Sequence, residues 1–294
     1  MSAPDAAFQL DRARVRASFA RASAGYEAAA RLQVRVADEL LARLGEFRFA
    51  PRVVLDLGAG TGRVTRELKR RYPRSQVVAL DIAEAMLREA RRHLRPWRRF
   101  ARVCADALRL PLKDGSVDLV FSSLMLQWCQ PLDAALAEVR RVLQPGGFFG
   151  FSTFGLATLQ ELRSAWAAAD GYNHVNHFPE VQEVGDALLR AGLTEPVLDV
   201  DRLELAYPDV LALMRDLKAI GAHNVTAGRP RGLAGRVRLE RVAAAYERER
   251  RASGLPATWE VIYGASWGAA GRQAVSAPSG IAHIAPGSIR RSRR

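Results

Sequence analysis

Lysine is almost absent from this chain of 294 residues: of its 44 Lys+Arg residues only Lys69, Lys113 and Lys218 are lysines. Cysteine is equally scarce. Cys104 and Cys129 alone cannot build a disulfide framework or a zinc site. No stretch approaches the run of about 18 apolar residues that a membrane-spanning helix requires. Histidine numbers five, and His174-x-x-His177 lacks both a nearby third ligand and a His-Glu-x-x-His helix, so no metal is expected. What remains is an intracellular globular protein of 32.3 kDa, one large domain or two modest ones, with 49% hydrophobic residues to fill a core.

Positive charge is what the chain has in excess: +13 formally, with a pI near 10.8. A basic domain is the usual footprint of a nucleic-acid binder. Two features weaken that reading. The 269–294 segment, rich in Ser, Ala, Pro and Gly, holds five arginines and no acidic residue, which leaves +8 for the rest; its composition reads as disordered. The arginine-dense 63–99 stretch offers only Tyr72 and Trp97 as platforms for base stacking. An arginine-biased solvated surface is the plain reading, and an acidic macromolecular partner is the sharper one.

Apolar residues at helical spacing (Val15, Phe19, Tyr26, then Leu32, Val36, Leu40, Leu44) predict two helices parted near Ser23–Gly25. Arg12, Arg14, Arg16 and Arg21 among alanines imitate a mitochondrial presequence. Asp5, Asp11 and the unbroken apolar pattern instead assign residues 1–50 to the fold. From Pro51 onward, strands predicted at 53–57, 76–80, 100–105, 117–122 and 148–153 alternate with helices at 62–72, 83–94 and 132–143. This alternation builds a parallel sheet covered on both faces, with ligands beyond the carboxyl ends of its strands. Further helices are predicted at 156–170, 181–191, 208–219 and 232–251, and 196–205 is strand-like. The expected organisation is N-terminal helices over a pocket (1–50), a core (51–205), a helical cap (206–268) and a basic tail (269–294).

Asp56-Leu57-Gly58-Ala59-Gly60-Thr61-Gly62 follows a strand and opens a helix. Glycines there permit a tight turn and a close ligand approach that a Cβ would obstruct. Asp81 ends the next predicted strand, where a carboxylate accepts hydrogen bonds from ribose hydroxyls. Together they read as a nucleoside-cofactor site. A dinucleotide fingerprint would place a third glycine where Arg63 stands, and a P-loop would need Gly-Lys-Ser/Thr, which is absent.

On these residues the chain resembles the class I S-adenosylmethionine-dependent methyltransferases, whose first motif reads like Val53–Gly62. Asp81-Ile82 looks like the family's ribose-binding acid and its adenine-contacting neighbour. Ala105-Asp106-Ala107 with Leu110-Pro111 looks like the segment whose acid approaches the adenine amino group. Val117–Ser122 looks like the fourth strand, and Leu143-Gln144-Pro145-Gly146-Gly147 like the turn before the fifth. The resemblance implies an α/β, Rossmann-like fold: a mostly parallel seven-stranded sheet, helices on both faces, and helical N- and C-terminal caps. It also implies S-adenosyl-L-methionine as cofactor. The contacts it assigns are Tyr26, Asp56, Gly58, Ala59, Gly60, Gly62, Asp81, Ile82, Met86, Asp106, Ala107, Ser123 and Leu124.

The flanking segments are similar to the malonyl-acyl-carrier-protein O-methyltransferases of biotin synthesis. They are Phe19–Tyr26–Gln33, Leu126–Trp128, Phe151–Gly155, Thr158–Arg163, His174–Phe178, Asp216–Asn224 and Pro256–Gly264, and the resemblance spans about residues 10–268. It implies methyl transfer to the free carboxylate of a malonyl thioester in the cytoplasm, with no general base. The implied partner is the acidic acyl carrier protein, to which a basic rim is suited. Tyr26, Arg163, His174, Asn176, Lys218 and His223 are the candidates for holding the carboxylate. Trp128, Trp166, Trp259 and Trp267 read as core or rim, and Cys129 lacks the relay a nucleophile needs. Two rivals are a protein-arginine hydroxylase like the complex I assembly factors and a basic RNA-binding methyltransferase. Against the latter, Ser122-Ser123-Leu124-Met125 stands where base methylation would want Asn-Pro-Pro-aromatic. No membrane or nucleic-acid partner is expected.

Overall fold

A computed structural model describes residues 9–94, 97–222, 224–226 and 235–269. Seven strands form one sheet: β1 (Val53–Leu57), β2 (Gln76–Asp81), β3 (Ala101–Cys104), β4 (Val117–Ser123), β5 (Leu143–Phe154), β6 (Leu193–Tyr207) and β7 (Leu255–Gly268). Their order is β3-β2-β1-β4-β5-β7-β6. The first five run parallel, while β7 is antiparallel to both β5 and β6.

Alternation along each strand sends side chains to opposite faces, so the central strands feed two cores. Val54, Leu119 and Phe121 pack toward α3 (Arg31–Arg43), α4 (Arg63–Arg71) and α5 (Glu84–Arg92), meeting Val36, Leu40, Leu68 and Leu87. Leu55, Leu57 and Val120 pack on the other face against Leu136 and Val139 of α6 (Leu132–Val142) and Val184 and Leu188 of α8 (Val181–Arg190). Each such side chain, fully buried, contributes about 1.5–3 kcal/mol. This doubly covered sheet fixes where the strand ends open.

The expected 206–268 cap divides in two. Its helices, α9 (Val210–Ala219) and α10 (Arg236–Glu247), do lie outside the sheet, but residues 255–268 form β7, wedged between β5 and β6. The physical reason is burial on both faces, which erases the alternation that marks a strand in sequence. Gly264 shows how tightly β7 is seated: a Cβ there would lie 2.2 Å from the Phe151 ring. The described part of the 269–294 tail ends at Ala269; its arginines and His223 lie outside the described residues.

The N-terminal helices close over the carboxyl ends of the parallel strands. Asp11 caps α1 (Arg12–Ala22) by accepting from the Arg14 N–H. The run breaks at Ser23–Gly25 into a 3-10 turn, followed by the short α2 (Tyr26–Ala29). The Leu10 N–H donates to Gln130 Oε1 at 2.7 Å, and the Asp11 N–H to the Val225 carbonyl at 3.1 Å, so the segment is stitched to distant parts of the chain. Among the described residues no helix is long and apolar enough to cross a membrane.

Candidate active site

A solvent-open cleft lies at the carboxyl ends of β1, β2 and β4, where a small-molecule site is expected. Strand order reverses there, with β2 and β3 on one side of β1 and β4 and β5 on the other, which is where open α/β sheets bind ligands. Tyr26, Gly58, Gly60, Asp81, Ile82, Met86, Asp106, Ala107, Ser123 and Leu124 all line it. Asp56 and Ala59 line an adjoining recess together with Glu27, Gln33 and Thr61. Gly62 lines neither. It holds φ +76° at the start of α4, and a Cβ there would sit 2.9 Å from the Ala90 Cβ, so it serves the packing of α4 on α5.

The glycine loop distinguishes one nucleoside cofactor from another. The Gly58 and Ala59 N–H groups both donate to the Leu80 carbonyl (2.8 and 3.0 Å), and the Gly62 N–H donates to the Ala59 carbonyl at 2.9 Å. The Gly60 N–H donates to Asp81 Oδ2 at 2.9 Å. A pyrophosphate would need those donors and the helix N-terminus free. Here the chain itself satisfies them, and Glu27 and Asp38 stand beside the start of α4, bonded to Thr61 and Arg63. The loop instead suits a nucleoside carrying no phosphate, with a cationic end toward the acids of the recess.

Burial pushes two carboxyls here, Asp56 and Asp81, up. Asp56, 2% exposed, is raised to about 7 by desolvation and the Asp81 charge, against a 2.5 Å hydrogen bond from Thr65 Oγ1. Asp81 is raised by burial too, opposed by the Ala83 and Gly60 N–H donors. Each Asp81 oxygen accepts one backbone N–H and keeps a lone-pair direction for a hydroxyl donor, as a ribose requires. Tyr26 lines the same cleft, its hydroxyl pushed up by burial and by Asp81. Cys129, also lining it, is pushed up to about 12 by desolvation, so its thiol stays protonated near neutrality.

A second cleft of about 780 Å³ adjoins the first, with Trp128 lining both. It is walled by Phe154, Trp166, Phe178, Met214 and Leu217, and its polar lining is Gln127, His174, Asn176 and Asn224 with the indoles of Trp128, Trp166 and Trp259. No lysine, arginine or carboxylate lines it among the described residues. His174 bonds Asp170 at 2.9 Å and stacks on Trp166 with ring centroids 3.5 Å apart. Arg163, on α7 (Gln160–Ala167), points elsewhere: its guanidinium donates to the carbonyls of Leu156 and Thr158. Lys218 lies in the last turn of α9, outside the lining, although its neighbour Leu217 is part of it.

Arg12, Phe19, Met125 and Trp128 complete the first cleft and were not among the assigned contacts. Arg12 is brought there by a contact 94 positions apart in sequence, for which no local signal exists. Two leucines did carry a structural signal. Leu124 (φ 49°) and Leu159 (φ 54°) hold left-handed backbone, and each lines one of the clefts. Such strain persists only where surrounding structure enforces it.

Residues 55–151 match the methyltransferase domain family. The chain is 53% identical over 274 residues to the malonyl-[acyl-carrier protein] O-methyltransferase of Laribacter hongkongensis, covering 90% of this chain and 92% of that protein. It is 48% identical over 294 residues to the protein of the same name from Halorhodospira halophila, covering 99% of each. Among solved structures, the YcgJ protein of Bacillus aligns with TM-score 0.56 at 16% identity, over 80% of this chain and 99% of that one. A methyltransferase from Thermotoga maritima aligns with TM-score 0.52 at 17% identity, over 86% and 99%. At these identities the structural likeness concerns the fold alone.

Proposed function

The chain belongs to the malonyl-[acyl-carrier protein] O-methyltransferase family, and from that premise we propose that it methylates the free carboxylate of a malonyl thioester carried on acyl carrier protein. The observation that carries this reading is the pair of joined clefts, one acid-lined for a nucleoside and one uncharged, with Trp128 lining both. S-adenosyl-L-methionine supplies an electrophilic methyl on a sulfonium. In the first cleft Asp81 would receive the ribose hydroxyls, while Gly58 and Gly60 would let the backbone approach. Asp106 and Ile82 would flank the adenine, and Tyr26 with the acid-lined recess would face the zwitterionic aminocarboxypropyl end, the acids toward its ammonium.

The acceptor is already an anion near neutrality, so these residues need neither remove nor deliver a proton. On transfer a carboxylate oxygen would form the new C–O bond as the C–S bond breaks, its electron pair staying on sulfur. Opposite charges disappear together, which a cleft with little water favours. The mostly apolar lining of the second cleft supports that condition, and holding the reactants in line supplies about 7–11 kcal/mol of the barrier reduction. The product ester masks a carboxylate as a neutral, apolar end, which suits a primer for chain extension toward biotin. The reading places the enzyme in the cytoplasm with its carrier.

The test is a transfer assay with radiolabelled S-adenosylmethionine and malonyl or acetyl carrier protein. The malonyl form alone should yield a base-labile label released as methanol. Equal labelling of the acetyl form would overturn the reading.

A further inference from the structure

Among the described residues, three buried side-chain polar atoms have no hydrogen-bond partner: Arg63 Nη1, Asn176 Oδ1 and Trp259 Nε1. Two of the three belong to residues that line the uncharged cleft. Asn176 is 7% exposed and Trp259 4% exposed. A buried donor or acceptor left unpaired costs about 1–3 kcal/mol, so two in one cleft need a cause.

Three other polar side chains of this lining are bonded. Gln127 donates to the Leu124 carbonyl and accepts from Thr153. His174 is bonded to Asp170, and Asn224 to Asn173 and Thr226. Trp259 itself sits in a firmly bonded stretch of β7. On one side Thr258 donates to Glu161 through its N–H and its hydroxyl. On the other, the Glu260 N–H donates to Thr158 Oγ1, whose hydroxyl returns to the Glu260 carbonyl at 3.0 Å. The indole is thus held by its neighbours and by Phe154, with ring centroids 5.2 Å apart, while its buried N–H has no partner.

We propose that the Trp259 indole N–H and the Asn176 side-chain amide form the neutral hydrogen-bonding pair that receives the malonyl end of the acceptor. This deepens, and rests on, the methyl-transfer reading above. The indole can only donate, which matches a carboxylate or thioester oxygen; a half-turn of the Asn176 amide puts its NH2 where the unpaired Oδ1 stands, a second donor for the same anion. Neutral groups suit the reaction better than a cation. Negative charge leaves the carboxylate as the C–O bond forms, so a buried arginine would hold the starting anion more tightly than the transition state.

Two variants separate ligand holding from support of the fold: Trp259→Phe, which deletes the N–H and keeps a ring, and Asn176→Leu, which deletes the amide at similar volume. Each is compared with wild type for thermal midpoint, cofactor Kd and steady-state kinetics with malonyl carrier protein. A hydrogen bond to a charged acceptor corresponds to roughly ten- to a hundredfold in affinity. The expected result for both is a KM raised at least about tenfold, with cofactor Kd unchanged and the midpoint equal to or above wild type. Wild-type KM in both variants overturns the inference. So does a lowered midpoint that accompanies the loss in both, because the groups would then serve the fold. A wild type that methylates no malonyl carrier overturns the functional reading itself, and the inference with it.

Discussion

Arg12 Nη1 donates to Asp106 Oδ2 at 2.9 Å, tying the first turn of α1 to the loop after β3, and both residues line the cofactor cleft. The pair is exposed, 57% and 32% by side chain, so its net contribution to folding is about 0–1 kcal/mol. Its consequence is for the cleft: one Asp106 oxygen is engaged by α1 and the other by the Leu108 N–H. Arg12→Ala should leave the thermal midpoint nearly unchanged while speeding cofactor release. Asp106→Asn, which removes the charge on the adenine side, should weaken cofactor binding by roughly tenfold. Calorimetry gives the affinities and stopped-flow fluorescence the release rates; an unaltered release rate in Arg12→Ala would deny α1 a part in closing the cleft.

Gly58 combines two constraints, a φ of +80° and a would-be Cβ 2.3 Å from the Met125 Cγ. Gly58→Ala should therefore lose about 1–3 kcal/mol of stability and most cofactor binding. Adding Met125→Ala removes the clash but not the left-handed backbone, so the double variant should recover only part of the lost stability. Full recovery in urea unfolding would show that sterics alone required the glycine.

Asp56 makes stability depend on pH in a defined direction. Its carboxyl, raised to about 7 when folded from an ordinary 3.8, binds a proton more tightly in the native state. Its favourable contribution is fully present below pH 3.8 and is lost as pH rises through about 7. The shift corresponds to about 4 kcal/mol over that window. Asp56→Asn should flatten this component, so its stability relative to wild type should rise from pH 5 to pH 8.5 in urea titrations. Parallel pH profiles would place the titration elsewhere.

Arg163 illustrates where sequence reasoning stops. Lying in a family-like segment, it is a natural candidate for a carboxylate, yet its guanidinium donates to the Leu156 and Thr158 carbonyls. Arg163→Met should destabilise the fold by about 1–3 kcal/mol through those orphaned carbonyls. The KM for malonyl carrier should stay at the wild-type value; a KM raised with stability intact would return Arg163 to the substrate.

The first cleft was legible because its residues sit on consecutive strand ends, where a short motif fixes geometry through local turn chemistry. Asp81 ends β2, and Gly58 and Asp106 follow β1 and β3 by one and two positions, so the parallel sheet alone brings them together. The second cleft was not. Trp259 reads as a core aromatic because a side chain's burial can be inferred from its type, whereas the want of a partner for its N–H depends on Phe154, Asn176 and α9, far away in sequence. The strand carrying Trp259 was equally hidden, since β7 pairs with β5 across more than a hundred residues and shows no alternation.

The arginine surplus acquires a testable meaning from the proposed partner. Residues 1–270 carry +8, and acyl carrier proteins are acidic, so encounter should be steered by long-range attraction. Screening acts over about 10 Å at 0.1 M salt, and the uncharged second cleft offers the malonyl group itself little to screen. Raising ionic strength from about 50 to 300 mM should therefore lower kcat/KM for malonyl carrier protein several-fold, mostly through KM. With a small malonyl thioester that lacks the carrier, the change over the same range should be much weaker. Equal salt dependence for the two substrates would assign the effect to the active site and leave the basic surface without a part in docking.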